Sequence, residues 1–119
     1  MKNRVRAAAT AALLCAQAAA AALPAQGPKS EASPRAAAAA LYAKHCATCH
    51  GKDGRAKTFK AKFNHARDLT DPAWQSEVSD ERVFNSISRG RGKKMPAFGK
   101  KLSTEQLESL VAHVRGLKQ

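Results

Sequence analysis

The sequence predicts an all-α protein, and three features support this fold class. No segment shows the alternation of apolar and polar residues that is typical of strands. Ser103 and Gln106 form a capping box before a segment whose apolar residues recur at helical spacing. Ser33 and Pro34 are a typical helix start, and the alanine run at 36–40 that follows has high helix propensity.

The first helix is expected to begin at Ser33, to continue into the Cys46 region and to end near Gly51. The next segment, 51–70, is rich in glycine and lysine, and it reads as a loop anchored by Phe59 and Phe63. The spacing of four residues between these two aromatics also allows a short helical turn.

The second half of the domain contains the remaining predicted helices. Asp71 can start a helical turn that carries Trp74, and Ser79 can cap a helix that Gly90 ends. Residues 90–101 then form a loop before the last helix. The side chains expected to face the core are Val83, Phe84, Ile87, Leu107, Leu110, Val111, Val114 and Leu117.

The N-terminal segment has the pattern of a secretory signal peptide. Lys2, Arg4 and Arg6 precede an uncharged, alanine-rich stretch, and small residues follow it. We expect cleavage near residues 22–25 and export to the periplasm. The stretch is short for a spanning helix, and membrane contact is expected only if the signal stays uncleaved as an anchor. The chain then divides into a signal peptide, a flexible leader and one domain, at residues 1–25, 26–33 and 34–119.

Composition sets two further expectations for the domain. Residues 26–119 include 18 Lys/Arg and 9 Asp/Glu, and this basic balance favours partners with acidic surfaces. Export and the lack of an aromatic-basic platform argue against nucleic acid. Residues 26–119 contain only 15 Leu, Ile, Val and Phe residues, roughly 16%, below the level of about 20% at which charged chains tend to be disordered. Either much of the chain is disordered or a large apolar cofactor completes the core.

Cys46, Cys49 and His50 form a Cys-x-x-Cys-His sequence, which is the attachment signal for a c-type haem. Two thiols at this spacing can add to the two haem vinyl groups, and the adjacent histidine supplies an imidazole to the iron. A thioredoxin-like pair would need a βαβ context. A zinc site would usually need a second ligand pair, for which only His45 and His65 are available. The motif therefore predicts one covalently bound haem c, and chance occurrence is the remaining alternative.

Met95 is the expected second axial ligand of the iron. A thioether is soft, favours reduced iron and raises the reduction potential, and Pro96 would stiffen the loop that holds it. The alternative is that Met95 only fills a gap in the core. Three histidines are the other possible ligands: His45 is expected at the solvated surface, His65 in the basic loop, and His113 in packing beside the last helix.

These motifs together resemble class I cytochromes c over about residues 34–117. The resemblance rests on the Cys-x-x-Cys-His sequence, on Met95-Pro96-Ala97-Phe98 and on the closing amphipathic helix. It implies a cytochrome c-like fold in which the N- and C-terminal helices cross and three to five helices wrap around one haem.

Two finer expectations come from the same resemblance. Ala38 and Tyr42 would meet Leu110 and His113 where the terminal helices cross. Trp74 would line the haem pocket and contact a propionate, with core packing as the alternative. Arg67 and Arg91 are possible propionate partners by charge. The family's proline after the haem-binding histidine is missing, so another backbone carbonyl is expected to orient His50.

The expected function is single-electron transfer by a periplasmic carrier with His50 and Met95 as axial ligands, without enzymatic activity or a small-molecule substrate. Its partners would be redox proteins with acidic docking surfaces. Alternatives are a haem subunit of a larger oxidoreductase, such as a sulfur- or nitrogen-compound oxidase, and a ligand-binding module with a displaceable Met95. The lysines expected to guide docking are Lys52, Lys57, Lys60, Lys93, Lys94, Lys100 and Lys101.

Overall fold

The structure, a computed structural model, describes residues 33–119, which form six helices. They are α1 (Pro34–His45), α2 (Ala47–His50), α3 (Phe59–Asn64), α4 (Pro72–Glu77), α5 (Asp80–Arg89) and α6 (Thr104–Arg115). This part of the chain contains no strand, only an isolated bridge between Arg91 and Met95. The all-α fold class is confirmed. The predicted signal peptide and leader, up to residue 32, lie outside the described residues.

The helix count exceeds the predicted three to five because two short segments are separate helices. The backbone of Cys46 ends α1 and also begins α2, so the first helix is divided at the cysteine motif. Thr58 caps α3 by accepting the backbone N–H of Ala61 at 3.0 Å. A helical turn was one possibility that the spacing of Phe59 and Phe63 allowed.

The predicted helix starts are confirmed by their hydrogen bonds. The hydroxyl of Ser33 accepts the N–H of Ala36, and the hydroxyl of Ser79 accepts the N–H of Arg82. Ser103 and Gln106 form the capping box of α6, with each side chain accepting a backbone N–H of the other residue. These bonds pair N–H groups that a helix start otherwise leaves without an internal partner.

The first and last long helices, α1 and α6, pack against each other as the resemblance implied. Ala38, Tyr42 and Leu110 are buried, and the ring centroids of Tyr42 and His113 lie 4.7 Å apart. The small side chain of Ala38 allows close approach of the helices, while the aromatic pair fills the space beside it.

Arg115 near the end of α6 ties this helix to α4 and α5. Its guanidinium donates to the carboxylate of Asp80 at 2.6 Å, to the carbonyl of Gln75 at 2.7 Å and to the carbonyl of Val78. Buried Gln75 in turn donates to the carbonyls of Leu69 and Val114, each at 2.8 Å. These bonds pair the buried polar groups and hold the end of α6 against α4 and α5.

One core prediction is wrong. Phe59 and Phe63, expected to anchor the loop, are 77% and 64% exposed. Buried Ala61, between them in sequence, faces inward on α3 instead. Because α3 is helical, residues two positions away from Ala61 lie on the opposite side of the helix.

None of the helices in the described part of the chain is both long and apolar enough to cross a lipid bilayer.

Candidate functional site

A cavity of about 530 Å³ lies inside the helices, between α1, α4, α5 and α6 and the loop after α5. Seven of the nine residues in the buried core cluster line it. These seven are Tyr42, Leu69, Val83, Ile87, Phe98, Leu110 and Val114. The core of this domain is therefore a shell around a cavity, which agrees with the shortage of apolar residues in the sequence.

Cys46, Cys49, His50 and Met95 all line this cavity, so the structure brings together the four residues that the motifs indicated. Both cysteines are free and partly buried. Burial, and then the neighbouring Cys49, raise the pKa of the Cys46 thiol to about 11. Both thiols are thus held at one wall of a largely apolar space, with the imidazole beside them.

A backbone carbonyl orients His50, as expected. Its Nδ1 atom lies 2.9 Å from the carbonyl oxygen of Arg67. The carbonyl oxygen can only accept, so Nδ1 carries the proton and the lone pair of the neutral ring is on Nε2. A hydrogen bond of this kind fixes the ring orientation and the tautomer of a histidine that binds a metal.

Three polar side chains to which the sequence analysis gave no role at this site hold the wall around the cysteine motif. The Tyr42 hydroxyl donates to the carbonyl of Gly51 at 2.9 Å. The Thr58 hydroxyl lies 3.0 Å from the carbonyl oxygens of both Thr48 and Cys49. The amide of Asn64 lies 3.6 Å from the sulfur of Cys49. Of these, only Thr58 had a sequence signal, because threonine favours the residue before a helix.

The loop of residues 90–101 places Met95 at the cavity. Gly90 ends α5 with φ of +73°, and the N–H of Arg91 donates to the carbonyl of Met95 at 2.9 Å. Phe98 follows as a buried anchor whose N–H donates to the carbonyl of Ile87 at 3.0 Å. The loop is therefore closed by a bond between Arg91 and Met95, and it is fastened to α5 after Met95 through Phe98.

The histidines outside the motif occupy different places. His45 was expected at the solvated surface, but this is wrong: it is partly buried, lines the cavity and lies 5.3 Å from the Phe98 ring. His65 is exposed, with φ of +51° at the end of α3, and also lines the cavity. His113 packs against Tyr42 as expected. Desolvation, and then the charge of Arg35, lower the pKa of His113.

Trp74, Arg67 and Arg91 also line the cavity. Trp74 is partly buried and packs against the core, whereas both arginines are exposed. The cavity wall therefore carries an indole N–H and two cationic groups close to solvent.

The residues present fit a covalently attached haem. The cavity is within the range of about 300–1,000 Å³ that is typical of cofactor sites, it is lined by the core, and it holds two thiols, an oriented imidazole and a thioether. In residues 33–119, no three His, Cys, Asp or Glu side chains are grouped to hold a metal ion, so the zinc alternative has no second set of ligands. The βαβ context that a thioredoxin-like pair needs is also missing from this part of the chain.

Comparisons with known proteins support a small c-type cytochrome. Residues 33–114 match the family described as cytochrome c oxidase, cbb3-type, subunit III. The solved c-type cytochrome KustC0563 has a TM-score of 0.66 and 40% sequence identity, covering 69% of this chain and 98% of that one. Cytochrome c6 of Aphanizomenon flos-aquae is 34% identical over 80 residues, which are 64% of this chain and 82% of the relative.

Two oxidase subunits are also similar. The cbb3-type cytochrome c oxidase subunit FixP of Azorhizobium caulinodans is 34% identical over 79 residues, and subunit CcoP of Rubrivivax gelatinosus is 35% identical over 74 residues. The chain matches only 26% and 23% of the length of these relatives. Its similarity to them is thus confined to one domain of larger proteins.

The fold and the cavity define a small c-type cytochrome domain whose function is electron transfer and whose cofactor is covalently bound haem c. The chain belongs to the cytochrome family described as cytochrome c oxidase, cbb3-type, subunit III.

Proposed function

We propose that the chain is an exported carrier of single electrons, in which Cys46 and Cys49 would hold the haem and His50 and Met95 would bind its iron. One observation carries this proposal: these four side chains line a single cavity that the hydrophobic core surrounds. The two S–H groups would add across the two vinyl C=C bonds of the haem, and the resulting thioether bonds would keep the cofactor attached outside the cell.

Each residue then has a defined task. Bound haem supplies an iron centre that gains or loses one electron. His50 offers the Nε2 lone pair, since its Nδ1–H is held by the carbonyl of Arg67. The Met95 thioether favours the reduced state and raises the potential. The apolar wall excludes water, which limits both ligand exchange and reorganisation during electron transfer.

The edge of the cavity binds the charged groups of the cofactor in this proposal. Trp74 would donate its indole N–H to a propionate, and Arg67 or Arg91 would supply a compensating charge. All three residues line the cavity, and the arginines are exposed, which suits carboxylates that reach solvent. The tryptophan ring at the same time contributes to the apolar wall.

Residues 1–25 serve as a signal peptide, residues 26–33 as a leader and residues 34–119 as the cytochrome domain, which works in the periplasm. The basic start of the chain and its uncharged alanine-rich stretch support export. The excess of 18 Lys/Arg over 9 Asp/Glu in residues 26–119 supports partners with acidic docking surfaces. The chain itself transforms no substrate.

A second candidate function is that of a haem subunit docked in an oxidase. It is favoured by the similarity to FixP and CcoP, which are oxidase subunits. Size-exclusion chromatography and copurification from the native source separate the two functions. A free carrier elutes as a small protein with haem absorbance, whereas a subunit stays with a large membrane complex.

Absorption spectroscopy of protein matured with a haem-attachment system tests the ligand assignment. We expect covalent haem and a sulfur-to-iron charge-transfer band in the oxidised protein. Met95→Leu should abolish this band, permit rapid carbon monoxide binding by the reduced protein, and lower the potential by more than about 100 mV within the roughly 0.8 V span that axial ligands control.

His65→Ala and His45→Ala are the matched controls, because both histidines line the same cavity. Both variants should keep the charge-transfer band. A band that survives Met95→Leu but disappears in either histidine variant would contradict ligation by Met95. Rapid carbon monoxide binding by the unmodified protein would instead favour a ligand-binding module.

A further inference from the structure

The most exposed large apolar side chains in the described residues are the aromatic pair Phe59 and Phe63 on α3. They are 77% and 64% exposed, their ring centroids lie 4.8 Å apart in an edge-to-face arrangement, and neither ring lines the cavity. Exposed aromatic clusters on a soluble protein are unfavourable in water and mark interaction sites. Haem binding does not explain why these two aromatic side chains are exposed.

The pair lies immediately beside the cavity. Asn64 and His65, the residues directly after Phe63, both line it, and the Asn64 amide approaches the sulfur of Cys49. The Nζ atom of Lys94, next to Met95, donates to the carbonyl of Phe63 at 3.2 Å. Helix α3 therefore contacts both the cysteine motif and the loop that holds Met95.

Helix α3 is also a fixed platform. Its cap residue, Thr58, holds its first turn through the backbone N–H of Ala61 and reaches the carbonyls of Thr48 and Cys49. Buried Ala61 packs its inner face. The two rings are therefore presented to solvent from a short helix with little freedom to move, which reduces the entropy lost when a partner binds.

The segment that carries the pair, between Asp53 and Asp68, has one sign of charge. Residues 54–67 contain five Lys/Arg residues and no Asp or Glu. Lys60 and Lys62, on either side of Ala61, are both exposed, as are Lys57 and Lys94. An apolar centre with a basic rim complements a protein surface that has an apolar centre and an acidic rim.

We propose that the Phe59–Phe63 face of α3 is the docking site for an acidic redox protein, whose apolar contact surface packs on the two rings while its carboxylates pair with the surrounding lysines. This proposal rests on the electron-transfer function proposed above and adds the place of docking and the chemistry of the partner. A second copy of this chain does not fit the same face, because the lysines of two α3 helices would oppose each other.

Reduction of the oxidised holo-cytochrome by the hydroquinone form of flavodoxin, an acidic flavoprotein that gives up one electron and becomes the semiquinone, tests the proposal in a stopped-flow instrument. F59S/F63S should lower the second-order rate constant about tenfold, as expected when a central pair of aromatic contacts is lost. The dependence of the rate on salt should be unchanged, because this variant keeps every charge.

Charge variants separate local docking from overall attraction. K60E/K62E should lower the rate at low salt more than tenfold and flatten its salt dependence. R35E/K118E makes the same change in net charge at exposed positions outside α3 and should stay within about twofold of the unmodified protein. Equal losses in the two charge variants would show general attraction and would overturn a docking site on α3.

An uncharged hydroquinone, which gives one electron to each of two cytochrome molecules, is the control reductant. All variants should react with it within about twofold of the unmodified protein, since no docking surface is needed. If F59S/F63S slows both reductants alike, the rings act on the haem site and the docking proposal is wrong. A wild-type rate with flavodoxin in F59S/F63S is equally decisive against it.

Nuclear magnetic resonance gives a second readout that does not depend on electron transfer. Addition of flavodoxin to ¹⁵N-labelled cytochrome should shift the amide signals of residues 58–66, and F59S/F63S should lose these shifts. Shifts confined to another surface would overturn the proposal. Sedimentation that shows a dimer of the unmodified protein and a monomer of F59S/F63S would make a second copy the occupant.

Different measurements would contradict the carrier function and the docking site. Protein without covalent haem is recognised by its absorption spectrum before any rate is measured, and it would contradict the carrier function. If the holo-protein is normal but its reaction with flavodoxin does not depend on the aromatic pair, the carrier function stands and only the docking site is contradicted.

Discussion

Side-chain bonds to backbone carbonyls hold the wall of the cavity that carries the cysteine motif, whereas the closest bonds between the Met95 loop and α5 are made by backbone groups. On the first wall, residues 42–69, the side chains of Tyr42, His50 and Thr58 reach backbone carbonyls at 2.9–3.0 Å. In the methionine loop, residues 90–101, the N–H groups of Phe98 and Gly99 donate to α5 carbonyls at 3.0 and 2.9 Å, and the Arg91 side chain adds a longer bond of 3.4 Å to Ser86.

This difference predicts which half of the site loses its native structure first. Side-chain hydrogen bonds to several carbonyls hold the wall of the cysteine motif, which includes His50, at separate points. The methionine loop leaves α5 through Gly90, whose positive φ leaves little tolerance for another residue. Partial unfolding should therefore move Met95 out of the site before it displaces His50.

The largest effect is expected from removing both thiols. Cys46→Ala/Cys49→Ala should abolish covalent haem and leave the domain largely unfolded, because seven of the nine core residues line the cavity that the haem would fill. Haem staining of a denaturing gel and circular dichroism measure the two losses. Thr48→Ala, an exposed position between the cysteines, is the control. A cooperative melt of the haem-free double variant would contradict this prediction.

A change at the start of the methionine loop should be the next largest. Gly90→Ala would place a Cβ atom 2.6 Å from the Met95 carbonyl oxygen and 2.8 Å from the Ala97 nitrogen, at a positive φ. We expect a loss of about 3 kcal/mol in the free energy of unfolding, measured by denaturant titration of the holo-protein, and weakening of the sulfur-to-iron band.

Gly92→Ala is the matched control for this change. Gly92 also has a positive φ, +63°, but a Cβ atom there meets nothing within 4 Å. It should lose only about 1 kcal/mol and should keep the sulfur-to-iron band. Equal losses at the two glycines would show that backbone conformation alone, rather than contact with Met95, limits this loop.

Loss of a single hydrogen bond on the wall of the cysteine motif should have a moderate effect on stability. Tyr42→Phe removes the buried hydroxyl that donates to the Gly51 carbonyl at 2.9 Å and keeps the ring against His113. The free energy of unfolding should fall by about 1 kcal/mol, and the sulfur-to-iron band should be unchanged. Loss of that band would show that the two walls are not independent.

The smallest effect concerns pH and the crossing of α1 with α6. His113 is partly buried, and desolvation followed by the charge of Arg35 lowers its folded-state pKa, whereas the unfolded chain titrates near the ordinary value of about 6.5. Below that value the unfolded state binds more protons, so stability falls as pH decreases from about 6.5 through the lower pKa of folded His113.

His113→Phe should flatten this part of the stability profile, because phenylalanine keeps a ring against Tyr42 without a titrating group. Thermal melts of the holo-protein at a series of pH values measure the effect. His45→Phe serves as a control for replacing a histidine elsewhere. An unchanged slope in His113→Phe would assign the pH dependence to another group.

Features that depend on neighbouring residues in the sequence were predicted well. The caps at Ser33, Ser79 and Ser103 follow from side chains that reach backbone N–H groups only three residues away. Features that depend on distant pairs were harder. The inward position of His45 results from packing against Phe98, which lies 53 positions later in the chain.

The helical class, the helix starts and the haem attachment motif can be predicted from the sequence, because propensity, capping and thiol spacing are local properties. Long-range packing, in contrast, selects Arg67 as the source of the carbonyl that orients His50 and leaves Phe59 and Phe63 facing solvent. Every residue but proline offers the same backbone N–H and carbonyl, so only the folded path of the chain selects which carbonyl meets which ring.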